Sequence, residues 1–206
     1  TLGLPKDKVV VESTFIGGEF GGKALTIEEF PLYFLAQATG RAIKHVRTHD
    51  DDVRSSHTRH ASKVRVRIAT TEDGIIEALD LHCLFDGGAY AGGKGLPWLV
   101  PGRVPKIPYR IPNAHIERMA VYTNTIPAGI VRAPADFQTL FAVESLIDMI
   151  AAELRIDPLE LRLRNAIAPG DTDLENNPYA GPRGREVLGT LREAIRWDEP
   201  LPPGRG

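Results

Sequence analysis

The chain has 206 residues, 42% hydrophobic and 25% charged, with a formal net charge of −2. That is enough apolar content for one ordinary domain or two small ones and excludes a disordered chain. The near-balanced charge excludes the electrostatic footprint of a nucleic-acid binder, and the single cysteine, Cys83, excludes an intrachain disulfide framework.

The N-terminus, TLGLPKDKVVV, has no basic region leading into an apolar one, so it does not read as a signal peptide. No run of the sequence approaches the ~20 apolar residues of a membrane-spanning helix. The chain opens without Met, and the expectation is a piece of something longer or a processed product, cytoplasmic in location. Residues 9–16, rich in Val, predict a buried strand. The glycine loop GGEFGGK follows at 17–23. Residues 25–39 place Ile27, Phe30, Phe34 and Ala38 at near-helical spacing, with Pro31 kinking or starting the helix and Gly40 closing it. RAIKHVRTH, through Ala42, His45 and Val46, predicts a short strand, and DDDVRSS a short helix with an acidic first turn.

Residues 63–70 alternate cleanly, with Val64, Val66 and Ile68 on one face and Lys63, Arg65 and Arg67 on the other. After the turn Thr71-Glu72-Asp73-Gly74, Leu79, Leu81, Cys83 and Phe85 alternate with Asp80, His82 and Asp86. This predicts a hairpin, apolar inside and charged outside. A long Gly/Pro-dense loop spans 87–112, and AHIERMAVYTN reads as a further strand. Residues 137–154 predict a helix with Leu140, Val143, Ile147, Ile150 and Leu154 on one face. Asp157-Pro158-Leu159-Glu160 reads as N-cap, Pro at the first position and an acid in the first turn of a second helix through Asn165. Residues 187–197 predict a last helix before the tail at 198–206. The mixture points to an α+β or mixed α/β class, with antiparallel hairpins and a mixed sheet packed with helices.

Gly17, four residues and Gly22-Lys23 match all but the last letter of the phosphate loop G-x-x-x-x-G-K-[ST]. Ala24 cannot supply the hydroxyl that such loops give to Mg²⁺, and an antiparallel hairpin is not the parallel sheet of those domains. The dinucleotide pattern G-x-G-x-x-G fails too, because Glu19 and Phe20 stand between the paired glycines. Glycines here still permit close approach of backbone N–H groups to an anion or a metal-oxo ligand; the alternative is a tight strand-to-helix turn. In NTIPAGIVRAPADFQ, residues 124–138, Arg132 sits in a Pro/Gly loop feeding a helix. Free N–H groups and a guanidinium fork suit an oxyanion; the alternative is a solvated surface arginine. Histidines 45, 49, 57 and 60 lack the spacing of a zinc site, and the stretch HTRH reads as a solvated link before the hairpin. Glu144 and Asp148, four apart on a helix, suit acid–base chemistry less well than structural pairing with an arginine. Trp98 either lines a funnel or packs beneath it.

Three motifs in register, GGEFGGK, YRIPN (109–113) and VRAPADFQTLFAVESLIDMIAAELRIDPLELRLRN, resemble the molybdenum-hydroxylase large subunit, the xanthine dehydrogenase, aldehyde oxidase and carbon monoxide dehydrogenase family. The resemblance runs from Leu2 to about Trp197. It implies a molybdopterin-binding domain over 1–197 that is part of a longer subunit, with a tail at 198–206. It implies Mo-pterin or its cytosine dinucleotide form as cofactor. Gly18, Phe20, Gly21 and Gly22, with Arg132 and Gln138, match the family's cofactor loops. Phe20 and Arg132 are implied as neighbours of molybdenum rather than side-chain ligands. The general-base glutamate is expected outside this chain, which alone is expected to be inactive. Iron–sulfur clusters, and a flavin such as FAD where there is one, belong on other domains or subunits. Those units, the remainder of the large subunit and a small organic substrate are the implied partners. Departures narrow the substrate. Ala24, Val100 and Pro134 stand where purine-oxidising members carry contact residues, Arg103 aligns only with a gap, and Cys83 is not beside Arg132. The expectation is hydroxylation of an aldehyde or aromatic heterocycle rather than xanthine or CO. Glu19, a carboxylate where the family has glycine or an apolar residue, keeps open a non-catalytic scaffold with a degenerate site; a nucleotide binder is the lesser alternative.

Overall fold

A computed structural model of the chain describes residues 3–12, 14–15, 17–22, 28–90, 106–200 and 204. The strand expected over 9–16 is not formed in the described part of that segment. A 3₁₀ turn, Lys6–Lys8, leads into backbone with no strand alongside it, and Val10 and Val11 are 81% and 87% exposed. A strand needs a neighbour for its N–H and C=O groups, and among the described residues none is present. Helix α1 (Glu29–Thr39) starts four residues later than the periodicity suggests, residues 25–27 lying outside the described ones. Pro31 falls in its first turn, where a missing N–H costs nothing. Gly40 closes it in the left-handed conformation, φ +63°, its N–H donating to the Ala36 carbonyl. The short strand expected at 41–49 is also absent, because Thr48 is engaged in capping a helix. In α2 (His49–Ser55) the Thr48 hydroxyl accepts from the Asp51 N–H while the Asp51 carboxylate accepts from the Thr48 N–H. Neither α1 nor α2 buries a residue.

The core is built on the hairpin. Strands β1 (Ser62–Thr70) and β2 (Ile76–Asp86) pair antiparallel, Val64 opposite Cys83 and Val66 opposite Leu81. The expected alternation holds: Leu79, Leu81, Cys83 and Phe85 are buried and the intervening residues are not. Strand β3 (Asn113–Val121) pairs with β2 in parallel, Leu81 opposite Ile116, so β2 is the centre of a mixed three-stranded sheet. Helix α3 (Asp136–Leu154) crosses the apolar face and buries Val143, Ile147 and Ala151 against it. Each fully buried Phe, Leu or Ile contributes roughly 1.5–3 kcal/mol through area removed from water.

Helix α4 (Pro158–Asn165) begins as expected. Asp157 Oδ1 accepts from the Leu159 and Glu160 N–H groups at 2.9 Å each, with Pro158 at the first position. Its last residue, Asn165, is buried and latches the helix to the hairpin turn. Its Nδ2 donates to the Gly74 carbonyl at 2.8 Å and its Oδ1 accepts from the Ile76 N–H at 2.8 Å. Helix α5 (Gly184–Ala194) starts three residues earlier than expected and ends three earlier, and it buries nothing. The class is mixed α+β. No described helix is long and apolar enough to cross a membrane.

Candidate functional site

The two loops singled out in the sequence meet. The Arg132 N–H donates to the Phe20 carbonyl at 2.8 Å. Gly21 packs on Ile130: at φ +96°, a Cβ on Gly21 would lie 2.5 Å from Ile130 Cγ2 and 2.8 Å from its carbonyl oxygen. Only glycine meets both demands. Phe20 itself adopts φ +53°, and Ala133 and Ala135 across the contact adopt +56° and +66°. Non-glycine residues held left-handed cluster at functional sites because surrounding structure must enforce them.

Glu19 has a definite place. Its Oε2 accepts from the Gly21 N–H at 2.7 Å, and its carbonyl accepts from the Gly22 N–H at 2.9 Å. The carboxylate ties the turn of the loop. The Phe20 ring lies over Gly18 and is 65% exposed. Lys23 and Ala24, like Trp98, Val100 and Arg103, lie outside the described residues.

Arg132 is half-exposed, and its loop is held by a residue that no sequence motif marks, Arg59. The Arg59 guanidinium donates to the Arg132 carbonyl at 2.8 Å and lies over the Phe137 ring, 4.9 Å from its centroid. The segment around it is therefore not the solvated link expected. His60 is buried, edge-on to Phe85, and the His57 ring fits only because Gly129 has no side chain, a Cβ there falling 2.3 Å from His57 Cδ2. Gln138 donates through Nε2 to the His60 carbonyl at 2.9 Å. Its Oε1 is buried with no hydrogen-bond partner among the described residues. Loops 17–22 and 129–135 and the first turn of α3 thus converge on one another through segment 57–60.

The other candidates are structural. Glu144 and Asp148 both pair with Arg162, at 2.9 and 2.7 Å, so the second carboxylate is paired rather than merely solvated. The Tyr109 hydroxyl donates to Glu144, and burial together with that carboxylate holds the phenol above its usual range. Burial pushes the Cys83 thiol up, which marks a packing group rather than a nucleophile.

Residues 1–166 match the molybdopterin cofactor-binding domain family. Among characterised relatives, the chain is 37% identical over 171 residues to a probable xanthine dehydrogenase subunit of Bacillus subtilis, covering 82% of this chain and 23% of that one. It is 34% identical to the xanthine dehydrogenase molybdenum-binding subunit of Escherichia coli O157:H7, covering 96% of this chain and 27% of that one. The solved aldehyde oxidoreductase from Desulfovibrio gigas superposes with a TM-score of 0.75 at 28% identity, covering 88% of this chain and 20% of that one. The chain thus spans about a quarter of the length of the curated relatives it matches. With this match over most of its length and this fold, the chain belongs to the molybdopterin cofactor-binding domain family of the molybdenum hydroxylases.

Proposed function

We propose that this chain supplies one wall of a molybdopterin site in a molybdenum hydroxylase, with Gly18, Phe20, Gly21, Gly22, Arg132 and Gln138 nearest the cofactor. The observation that carries the reading is the Arg132 N–H to Phe20 carbonyl bond, which joins two loops distant in sequence beside a residue with an unsatisfied acceptor. A buried polar atom without a partner costs about 1–3 kcal/mol. Gln138 Oε1 is such an atom, and the ring N–H donors of a pterin are its chemical complement. The exposed Phe20 ring offers an apolar face, and the Arg132 guanidinium a fork of donors for anionic oxygen. These features fit the group.

When bound, the molybdenum centre supplies hydroxylation of a C–H carbon with oxygen from water, the electrons leaving through iron–sulfur clusters. The chain's own contribution is position. Arg59 fixes the carbonyls of Arg132 and Ala133, Glu19 fixes the turn at Gly21, and the His60 carbonyl orients the Gln138 carboxamide. The substrate class in this reading is an aldehyde or an aromatic heterocycle. The partners are the remainder of a large subunit and iron–sulfur and flavin units. The scaffold alternative rests on Glu19, and the inward hydrogen bond of that residue makes it part of the loop's construction rather than a lesion. The antiparallel pairing of β1 with β2 gives the nucleotide alternative no support.

The test is an Arg132→Ala variant of the intact protein assayed with an aromatic aldehyde and with a nitrogen heterocycle. Loss of one charged hydrogen-bonding group corresponds to about 1.5–3 kcal/mol, so turnover on the accepted substrate falls by roughly 10- to 150-fold. Wild-type protein that hydroxylates neither class while fully loaded with molybdenum would remove the substrate assignment.

A further inference from the structure

On the sheet face turned away from α3, three metal-ligand atoms converge. Asp80 and His82 point outward on β2, and the parallel register sets His115 opposite Asp80 and Glu117 opposite His82. Asp80 Oδ1 lies 3.0 Å from His82 Nε2 and 2.8 Å from His115 Nδ1, and the three ligand atoms are all within 4.8 Å of one another. We infer that Asp80, His82 and His115 form a binding site for a divalent transition-metal ion of the Zn²⁺ class.

Four features carry the inference. First, a tetrahedral ion with bonds of about 2.0–2.1 Å places its ligand atoms roughly 3.3 Å apart. Each contact here is a hydrogen bond, a proton held between two ligand atoms, and an ion takes the proton's place with a widening of a few tenths of an ångström. Second, the remaining nitrogen of His82, Nδ1, is held by Glu117 Oε2 at 2.8 Å. A carboxylate on the far nitrogen fixes a ligating imidazole and raises its basicity. Third, Arg67 takes Asp80 through Oδ2 only, its Nη2 at 2.6 Å and Nε at 2.9 Å, and so orients the carboxylate while leaving Oδ1 to the cluster. Fourth, two imidazoles and one carboxylate suit zinc, cobalt, nickel or copper rather than magnesium or calcium. All three ligands stand on paired strands, which are rigid supports. The His115 side chain is 68% exposed, so an ion can enter and the fourth position is open to water. An ion here would clasp β2 to β3. The site shares no residue with the proposed molybdopterin loops, so either assignment can fail without the other.

The experiment titrates chelator-treated intact protein with Co²⁺ alone, read by its visible d–d absorption, followed by displacement with Zn²⁺; molybdenum is quantified separately. One Co²⁺ per chain is expected, with the absorption of a low-coordinate nitrogen- and oxygen-ligated ion. Glu117→Gln should weaken binding about 10- to 100-fold without changing the stoichiometry. His115→Gln and His82→Gln should weaken it further still, and His45→Gln should leave it unchanged. His115 is exposed, so its variant keeps the test decisive even if His82→Gln does not fold. No d–d band, or an affinity that His115→Gln leaves intact, would overturn the inference.

Discussion

At Gly21 two independent constraints coincide: a left-handed backbone, φ +96°, and an Ile130 carbonyl 2.8 Å from where a Cβ would be. Gly17 also has positive φ, +72°, but nothing within 4 Å. Gly17→Ala should therefore cost only the backbone term, about 1–2 kcal/mol, felt in the loop. Gly21→Ala should also break the contact with the Arg132 loop and lower molybdenum content in the intact protein. Metal analysis of the two variants side by side checks this; equal molybdenum content would mean that the loop contact does not matter to the cofactor. Asp80 makes a different residue-scale prediction. The His115 hydrogen bond and then the Arg67 pair hold its carboxyl well below the usual carboxylate range. A group depressed in the folded state stabilises the fold above its unfolded pKa, about 3.9, because the unfolded chain binds the extra proton. That stability is lost as pH falls from there toward the folded value. Acid unfolding monitored by circular dichroism should show Asp80→Asn losing less stability than wild type between about pH 4 and pH 2, whereas parallel curves would contradict the assignment.

At the scale of elements, Asn165 shows how α4 and the hairpin become one unit. Replacing it with Ala strips partners from the buried Ile76 N–H and the Gly74 carbonyl. At about 1–3 kcal/mol for each unsatisfied group, Asn165→Ala should cost roughly 2–4 kcal/mol in denaturant unfolding, far more than removing an exposed Asn such as Asn176. The hairpin, the long helix and the Asp157 cap are legible because their signals are local: a period of two, a period near 3.6, and an acid before a proline. The segments at 9–16 and 41–49 look like strands by composition, but pairing is a long-range property and no described neighbour supplies it. The parallel pairing of β3 with β2 is illegible for the same reason, and with it the approach of His115 to Asp80. The site is legible as two loops. Their joint is not, because Arg59 acts through carbonyls more than seventy positions away, and nothing in HTRH marks such a reach.

The whole molecule presents apolar faces that it does not itself cover. Phe34 and Leu35 of α1 are 57% and 50% exposed, and Val187, Leu191 and Ile195, spaced by four along α5, are 63%, 47% and 51% exposed. Patches of this kind mark surfaces that partners cover. The 206-residue chain in isolation should bind a hydrophobic dye and self-associate, and the intact protein should do neither; light scattering with dye fluorescence distinguishes them. The proposed function stands or falls on whether these loops hold molybdopterin. The most direct measurement is molybdenum and released pterin per chain in the intact protein purified from its source. Close to one of each is expected, falling together in Gly21→Ala. A folded protein with the Phe20–Arg132 loop pair intact, yet free of molybdenum and pterin when isolated from molybdenum-replete cells, would contradict it.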